Sequence, residues 1–108
     1  MALLPCPYLG GAVEFTDERR QHILSKHPDL LPEHFDALAQ TIADPDQVRR
    51  DNRFPLTRLF ARWFDELKGG KFLIAAVVTD PPPGVRHWIV TAYIARRPTR
   101  GLIEWTRN

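Results

Sequence analysis

Four segments in the second half of the chain decide the fold: LTRLFARWFDEL (residues 56–67), KFLIAAVVT (71–79), RHWIVTAYIA (86–95) and LIEWT (102–106). They are rich in β-branched and aromatic residues and have no proline in their interiors, which is typical of strands. Turn residues separate the segments, and Gly69-Gly70 is the strongest hairpin signal. The sequence therefore predicts four consecutive antiparallel strands, to which residues 47–50 add a fifth.

The first half of the chain predicts two short helices. Thr16 is a candidate N-cap followed by two carboxylates, and Pro28 ends that helix because proline disfavours helical geometry at the preceding residue. Apolar residues at helical spacing indicate the second helix: Phe35, Leu38, Ala39 and Ile42. Prolines and a glycine pair predict an irregular arm over residues 1–12. We expect one α+β domain over residues 13–108, with two N-terminal helices packed on a four- to five-stranded antiparallel sheet.

Charge is distributed unevenly along the chain. Residues 1–46 contain eight acidic and three basic residues, whereas residues 47–108 contain five acidic and twelve basic ones, ten of them arginine. The planar arginine fork matches phosphate geometry, so this asymmetry indicates a polyanionic partner such as RNA. The alternative is a basic surface that is only solvated.

Several classes of protein are not indicated by this sequence. No apolar run approaches the ~20 residues that a membrane-spanning helix needs, and the first residues lack the basic start of a signal peptide. The single cysteine, Cys6, excludes an intrachain disulfide and suits a reducing compartment, so we expect a cytoplasmic protein. There is no P-loop, dinucleotide-binding glycine pattern, serine-hydrolase motif or metal-ligand spacing, and we expect neither a cofactor nor a metal site.

Alternation along two predicted strands places candidate residues on one face of the sheet. In residues 86–95 it separates a polar set from an apolar set that is expected to face the helices: His87, Ile89, Thr91 and Tyr93 against Trp88, Val90, Ala92 and Ile94. Together with Arg58 and Arg62, Thr91 and Tyr93 are expected to form a basic face suited to single-stranded RNA, and Lys71 is a further candidate for substrate binding. The alternative is that Thr91 and Tyr93 are good strand formers on an exposed face.

Two histidines of the first helix are candidates for proton transfer. His27 is expected to face the sheet, and it ends the helix, where the dipole favours an imidazolium. The alternative is a structural histidine that packs under the sheet and hydrogen-bonds a carbonyl. His22 lies on the flank of the same helix and on a different face from His27, and its alternative is simple exposure to solvent.

Three motifs resemble, in their order and spacing, those of a known superfamily. They are FTDERRQHILSKHP (residues 15–28), IADPDQV (42–48) and WIVTAY (88–93). The first is similar to the opening helix, the second to the helix-to-strand turn and the third to the penultimate strand of the phage-type barnase–EndoU–colicin–RelE-like (BECR) nuclease superfamily. The resemblance covers roughly residues 13–106.

The resemblance implies a BECR/RelE-like fold and metal-independent cleavage of RNA, often by a toxin domain with an antitoxin or immunity protein as partner. The matched positions are His22, His27, Arg58, Thr91 and Tyr93. We therefore expect an endoribonuclease in which His27, with His22 as its substitute, transfers protons while Thr91 and Tyr93 orient a phosphate held by arginine. Two alternatives stay open: a non-catalytic RNA- or partner-binding module on the same fold, and a structural subunit.

Overall fold

The computed structural model describes residues 1–107 and shows an α+β fold. In chain order, the elements of this part of the chain are β1 (Ala2–Cys6), a 3₁₀ helix (Pro7–Leu9), β2 (Gly11–Phe15), α1 (Asp17–Lys26), α2 (Phe35–Ala43), β3 (Gln47–Arg50), β4 (Thr57–Phe64), β5 (Lys71–Thr79), β6 (His87–Ala95) and β7 (Leu102–Thr106). The two predicted helices are confirmed, and α1 begins after Thr16, whose hydroxyl accepts a hydrogen bond from the Arg19 amide at 3.2 Å. The described residues form a seven-stranded sheet, so the prediction of four or five strands was too low.

The strand order across the sheet is β1-β2-β6-β5-β4-β3-β7. Strands β3 to β6 pair antiparallel with their neighbours in sequence, as predicted, while β2 meets β6 in a short parallel pair between Glu14 and Trp88. The predicted position of the last strand was wrong. β7 pairs with β3 at the far edge of the sheet and does not lie next to β6.

The prediction of an irregular arm over residues 1–12 was also wrong. Residues 2–6 form the edge strand β1, which pairs antiparallel with β2 around the 3₁₀ turn. Leu4 and Cys6 of β1 are buried in the core while Leu3 and Pro5 are exposed, which is strand alternation. An edge strand accepts proline because one row of its backbone groups has no partner strand, so Pro5 does not break β1.

The main core lies between the helices and one face of the sheet, which we call the inner face. Fully buried residues from both helices meet fully buried residues from the central strands: Ile23, Leu38 and Ile42 against Phe60, Leu73, Val77 and Ile89. Burial of each such large apolar side chain contributes roughly 1.5–3 kcal/mol. A smaller cluster lies on the opposite, outer face and contains Leu59, Ala61, Ile74 and Ala76.

A β-bulge in β6 sets which residues reach each face. Ala76 of β5 pairs with Thr91, but the next residue, Val77, pairs with Ile89, so Val90 is an extra residue in β6. Ile89 therefore lies on the inner face, while Tyr93 packs with the outer cluster and Thr91 lines a cleft there. The predicted unbroken alternation from His87 to Tyr93 was wrong because the bulge reverses it.

The sheet curls so that its two edges approach each other on the inner side. Tyr8, next to β1, packs its ring against Phe60 of β4 and Trp105 of β7, with ring centroids 5.8 and 5.7 Å apart. Strands β6 and β7 run in the same direction, four positions apart, so residues 96–101 cross the outer face between them. The inner face is therefore concave, and the crossing segment partly covers the outer one.

Candidate functional site

The inner face carries a cleft with two arginines at the end of the sheet that the helices leave open. This inner cleft has a volume of about 230 Å³ and is lined by Arg50, Leu56, Arg58, Thr79, Asp80, Pro81, Pro82 and Val85. Antiparallel register builds it from two adjacent rows on the inner face. Arg50 pairs with Arg58, which pairs with Val77, and two positions further along β5 Thr79 pairs with His87.

Glu104 of β7 is the centre of the hydrogen-bond network in this cleft. Its carboxylate accepts hydrogen bonds from Arg50 Nε and Arg58 Nε, both at 2.9 Å, and from the Tyr8 hydroxyl. Burial of the carboxyl opposes ionisation, but the hydrogen bonds from Tyr8 and the two arginines outweigh it and hold the pKa of Glu104 below its usual value. Glu104 is therefore a carboxylate at neutral pH. Burial, with the hydrogen bond to Glu104, raises the pKa of Tyr8 to about 12. The Tyr8 hydroxyl therefore keeps its proton at physiological pH and donates a hydrogen bond to Glu104.

His87 joins the same network through Thr79. The Thr79 hydroxyl lies 2.8 Å from Nδ1 of His87 and accepts a longer hydrogen bond, 3.4 Å, from the Arg58 guanidinium. Because Nδ1 is occupied, Nε2 is the imidazole nitrogen that remains for a substrate. A carboxylate, two guanidinium groups and an imidazole thus belong to one connected site.

A second cleft lies on the outer face. This outer cleft has a volume of about 320 Å³ and is lined by Asp51, Phe54, Thr57, Leu59, Ala76, Val78, Val90, Thr91, Tyr93 and Arg100. The imidazole of His27, which ends α1, lies beside it against the Tyr93 ring, with centroids 6.1 Å apart. Burial raises the pKa of Tyr93, so its phenol is neutral at physiological pH.

The structure brings some of the predicted site residues together and separates others. His27 lies near Tyr93, and Thr91 lines the same cleft as Tyr93, but Arg58 lies on the opposite face in the inner cleft. The predicted face that combined Arg58 and Arg62 with Thr91 and Tyr93 was wrong, because the two arginines lie on the inner face of β4 with Phe60, whereas Thr91 and Tyr93 lie on the outer face of β6. The arginine of the outer cleft is Arg100.

The remaining candidates lie away from both clefts. Arg62 is four residues from Arg58, roughly 13 Å along the strand, and its guanidinium donates to the Asp44 carbonyl at 2.6 Å. Lys71 lies at the opposite end of β5 from Thr79, and its amine donates to the Lys68 carbonyl at 2.9 Å. His22 lies half-buried on α1, on a different side of the helix from His27.

Five residues of the inner cleft network were not among the predicted site residues: Tyr8, Arg50, Thr79, His87 and Glu104. A signal was present for Glu104, since it is the only charged residue in the strand segment LIEWT. An isolated carboxylate in an apolar strand needs a partner, and Arg50 and Arg58 at the ends of paired strands are such partners. For Tyr8 there was no local signal, because its role depends on the curl of the sheet.

The fold and the inner cleft define a small α+β protein with a carboxylate–arginine–histidine site. Comparison with protein-family models, with curated proteins and with solved structures found no match. Among residues 1–107, neither helix has the length and apolar character needed to cross a membrane. The same residues contain no group of three or more histidine, cysteine, aspartate or glutamate side chains placed to hold a metal ion.

Proposed function

We propose that this protein is a metal-independent endoribonuclease whose active site is the inner cleft. The observation that carries the proposal is the single hydrogen-bonded network that joins Glu104, Arg50, Arg58 and, through Thr79, His87. RNA cleavage by attack of the ribose 2′-OH on the adjacent phosphate needs a base, an acid and cations for the phosphorane charge. The network contains one candidate for each of these roles.

In the proposed reaction, the two arginines hold the non-bridging phosphate oxygens. Arginine suits this role because it donates parallel hydrogen bonds to a phosphate and stays charged at every working pH. Glu104 accepts the proton of the 2′-OH as that oxygen attacks phosphorus. His87, as an imidazolium, gives a proton from Nε2 to the departing 5′ oxygen while Nδ1 keeps its contact with Thr79. The products are a 2′,3′-cyclic phosphate and a free 5′-OH.

Substrate binding would also activate Glu104. The carboxylate is held by three donors, which makes it a weak base in the free protein. A phosphate that takes hydrogen bonds from Arg50 and Arg58 competes with Glu104 for the same guanidinium groups. The pKa of Glu104 then rises toward its ordinary value, which favours proton transfer when the substrate is in place.

This proposal keeps Arg58 as a phosphate-binding residue but assigns proton transfer to different groups. His27 contacts the ring of Tyr93, which lines the outer cleft, and is not among the residues that line the inner cleft with Arg58. A general acid or base must come within hydrogen-bond reach of the proton that it transfers. Glu104 contacts Arg58 directly and His87 is joined to it through Thr79, which supports their assignment to proton transfer, and His27 and His22 serve as control positions.

The test is cleavage of labelled RNA by the purified protein in EDTA. We expect His87→Ala and Glu104→Gln each to lower the cleavage rate by a factor of at least ~100, the lower end for a positioned acid or base. His22→Ala and His27→Ala remove the same chemical group from α1 and should leave the rate within a factor of about two to three. Full activity of His87→Ala, or no cleavage by the unmodified protein, would contradict the proposal.

A second candidate function is binding of RNA without cleavage, and the low pKa of Glu104 is the observation that favours it. If Glu104 serves only to position Arg50 and Arg58, the inner cleft holds a phosphate and carries out no chemistry. In that case the protein retains labelled RNA intact, and Arg58→Ala weakens retention and reduces its salt dependence. The length of the recovered RNA separates the two functions.

A further inference from the structure

The outer cleft has the features of a binding site and plays no part in the proposed cleavage. It is larger than the inner cleft, about 320 against about 230 Å³. Its floor is the outer face of the sheet, where Leu59 and Ala76 are nearly fully buried. Its walls come from separate segments, with Phe54 in the loop after β3 and Arg100 in the crossing segment.

One buried carboxylate holds both walls in place. Asp51 is 3% exposed and accepts hydrogen bonds from the Arg53 amide at 2.8 Å and from Arg100 at 2.6 Å. It therefore fixes the loop that carries Phe54 and ties the crossing segment to that loop. The cleft is preformed, which lowers the entropic cost of ligand binding.

The charges in the outer cleft cancel. Asp51 and Arg100 are the only ionisable residues in its lining apart from the phenol Tyr93, and they neutralise each other in a direct ion pair. An ionic ligand would lose hydration without a free counter-charge to replace it, which is unfavourable in a largely apolar site. The cleft is therefore suited to an uncharged ligand.

The remaining lining groups indicate an aromatic ligand with a polar edge. Phe54 and Tyr93 offer rings for edge-to-face or stacked contact, and the threonine methyl and valine groups between them are apolar. Within residues 1–107 the hydroxyls of Thr91 and Tyr93 have no protein hydrogen-bond partner, so both are free to bind a polar group. The volume lies at the lower limit of small-molecule sites, which fits one or two fused rings.

We propose that the outer cleft binds a neutral planar aromatic compound, of the size of a nucleobase or an indole, through the rings of Phe54 and Tyr93 and the hydroxyl of Thr91. The proposal does not depend on ribonuclease activity, because it concerns the opposite face of the sheet and other side chains. The same contacts would suit a free base or an indole, so the probes include both chemistries.

The test is an NMR titration of the isotope-labelled full chain with adenine, uracil and indole at millimolar concentration. We expect saturable shifts of the Thr91, Tyr93 and Ala76 amides with at least one of the three probes. Benzoate, which is aromatic but anionic, should bind at least tenfold more weakly than the best neutral probe. If none of the neutral probes shifts these amides, or if benzoate binds equally well, the proposal is wrong.

Two variants and one matched control localise the binding. Thr91→Val removes the hydroxyl at constant shape and should weaken the best probe about five- to tenfold, as expected for one lost hydrogen bond. Ala76→Leu fills the floor of the cleft and should abolish the shifts. Thr99→Val makes the same chemical change as Thr91→Val at an exposed position outside the lining and should leave the affinity unchanged. Unchanged affinity in Thr91→Val, whose volume is conserved, would overturn the assignment even if Ala76→Leu does not fold.

Discussion

Gly101→Ala should destabilise the protein much more than alanine at Gly10 or Gly84, because Gly101 combines a positive φ with a close backbone contact. Its φ is +78°, and a Cβ added there would lie 2.4 Å from the Arg50 carbonyl oxygen and 3.0 Å from its carbon. The first contact is with backbone of β3, which cannot rotate away as a side chain could. Gly101 is thus the point at which the crossing segment passes directly against β3.

The expected magnitude follows from three contributions. A left-handed backbone costs an alanine about 1–2 kcal/mol, and forcing an extra methyl into a packed contact costs about 1–3 kcal/mol more. Alanine also reduces the conformational entropy of the unfolded chain, which offsets roughly 0.4–1 kcal/mol of this cost. We therefore expect Gly101→Ala to lower the free energy of unfolding by about 2–4 kcal/mol, a large fraction of the roughly 5–15 kcal/mol of a typical domain.

Two other glycines are matched controls in the same assay, which is urea unfolding followed by tryptophan fluorescence. Gly10 has a φ of +71° but open space around its Cβ position, so Gly10→Ala should cost only about 1 kcal/mol. Gly84 has neither constraint, and Gly84→Ala should change stability by less than about 0.5 kcal/mol. Equal costs for Gly101→Ala and Gly10→Ala would refute the close approach of the crossing segment to β3.

Two further predictions concern carboxylates. Hydrogen bonding from the Arg53 amide, with the Arg100 charge, lowers the pKa of Asp51 in the folded protein. The ionised Asp51 therefore stabilises the fold fully above the ordinary aspartate pKa of about 3.9, and this stabilisation is lost as the pH falls below that value. In Asp51→Asn, acid unfolding curves should therefore fall less steeply below about pH 4 than those of the unmodified protein. Tyr8→Phe keeps the aromatic packing but removes one donor to Glu104, so carboxyl ¹³C titration should show a higher pKa for Glu104; an unchanged value would contradict the contact.

The sequence predicted those elements whose signals are local. Residues 71–79 and 102–106 form β5 and β7 with the predicted bounds, because each is a run of strand formers between turn residues. Helix α1 was predicted from its N-cap and from Pro28, both of which act within one turn of the helix. Each of these signals needs no knowledge of the rest of the chain.

The missed features depend on contacts between distant residues. Val90 is an ordinary strand residue, and nothing near it in sequence shows that β6 has an extra residue opposite β5. A shift of one residue exchanges the two faces of a strand, so His87 and Ile89 lie on the inner face although they were predicted to share a face with Thr91 and Tyr93. The pairing of β7 with β3 likewise links residues about fifty positions apart.

Neighbouring side chains of each strand point to opposite faces, and this alternation lets one end of the sheet carry two sites. Thr57 lines the outer cleft and Arg58 the inner one, and Val78 and Thr79 are divided in the same way. In β6 the bulge keeps His87 beside Thr79 on the inner face and Thr91 on the outer one. The inner cleft has two arginines with two carboxylates, Glu104 and Asp80, whereas the outer cleft has one directly paired arginine and aspartate. The two neighbouring guanidinium groups suit a phosphate on one face, and the rings and paired charges suit a neutral ring on the other, although the two clefts share β4, β5 and β6.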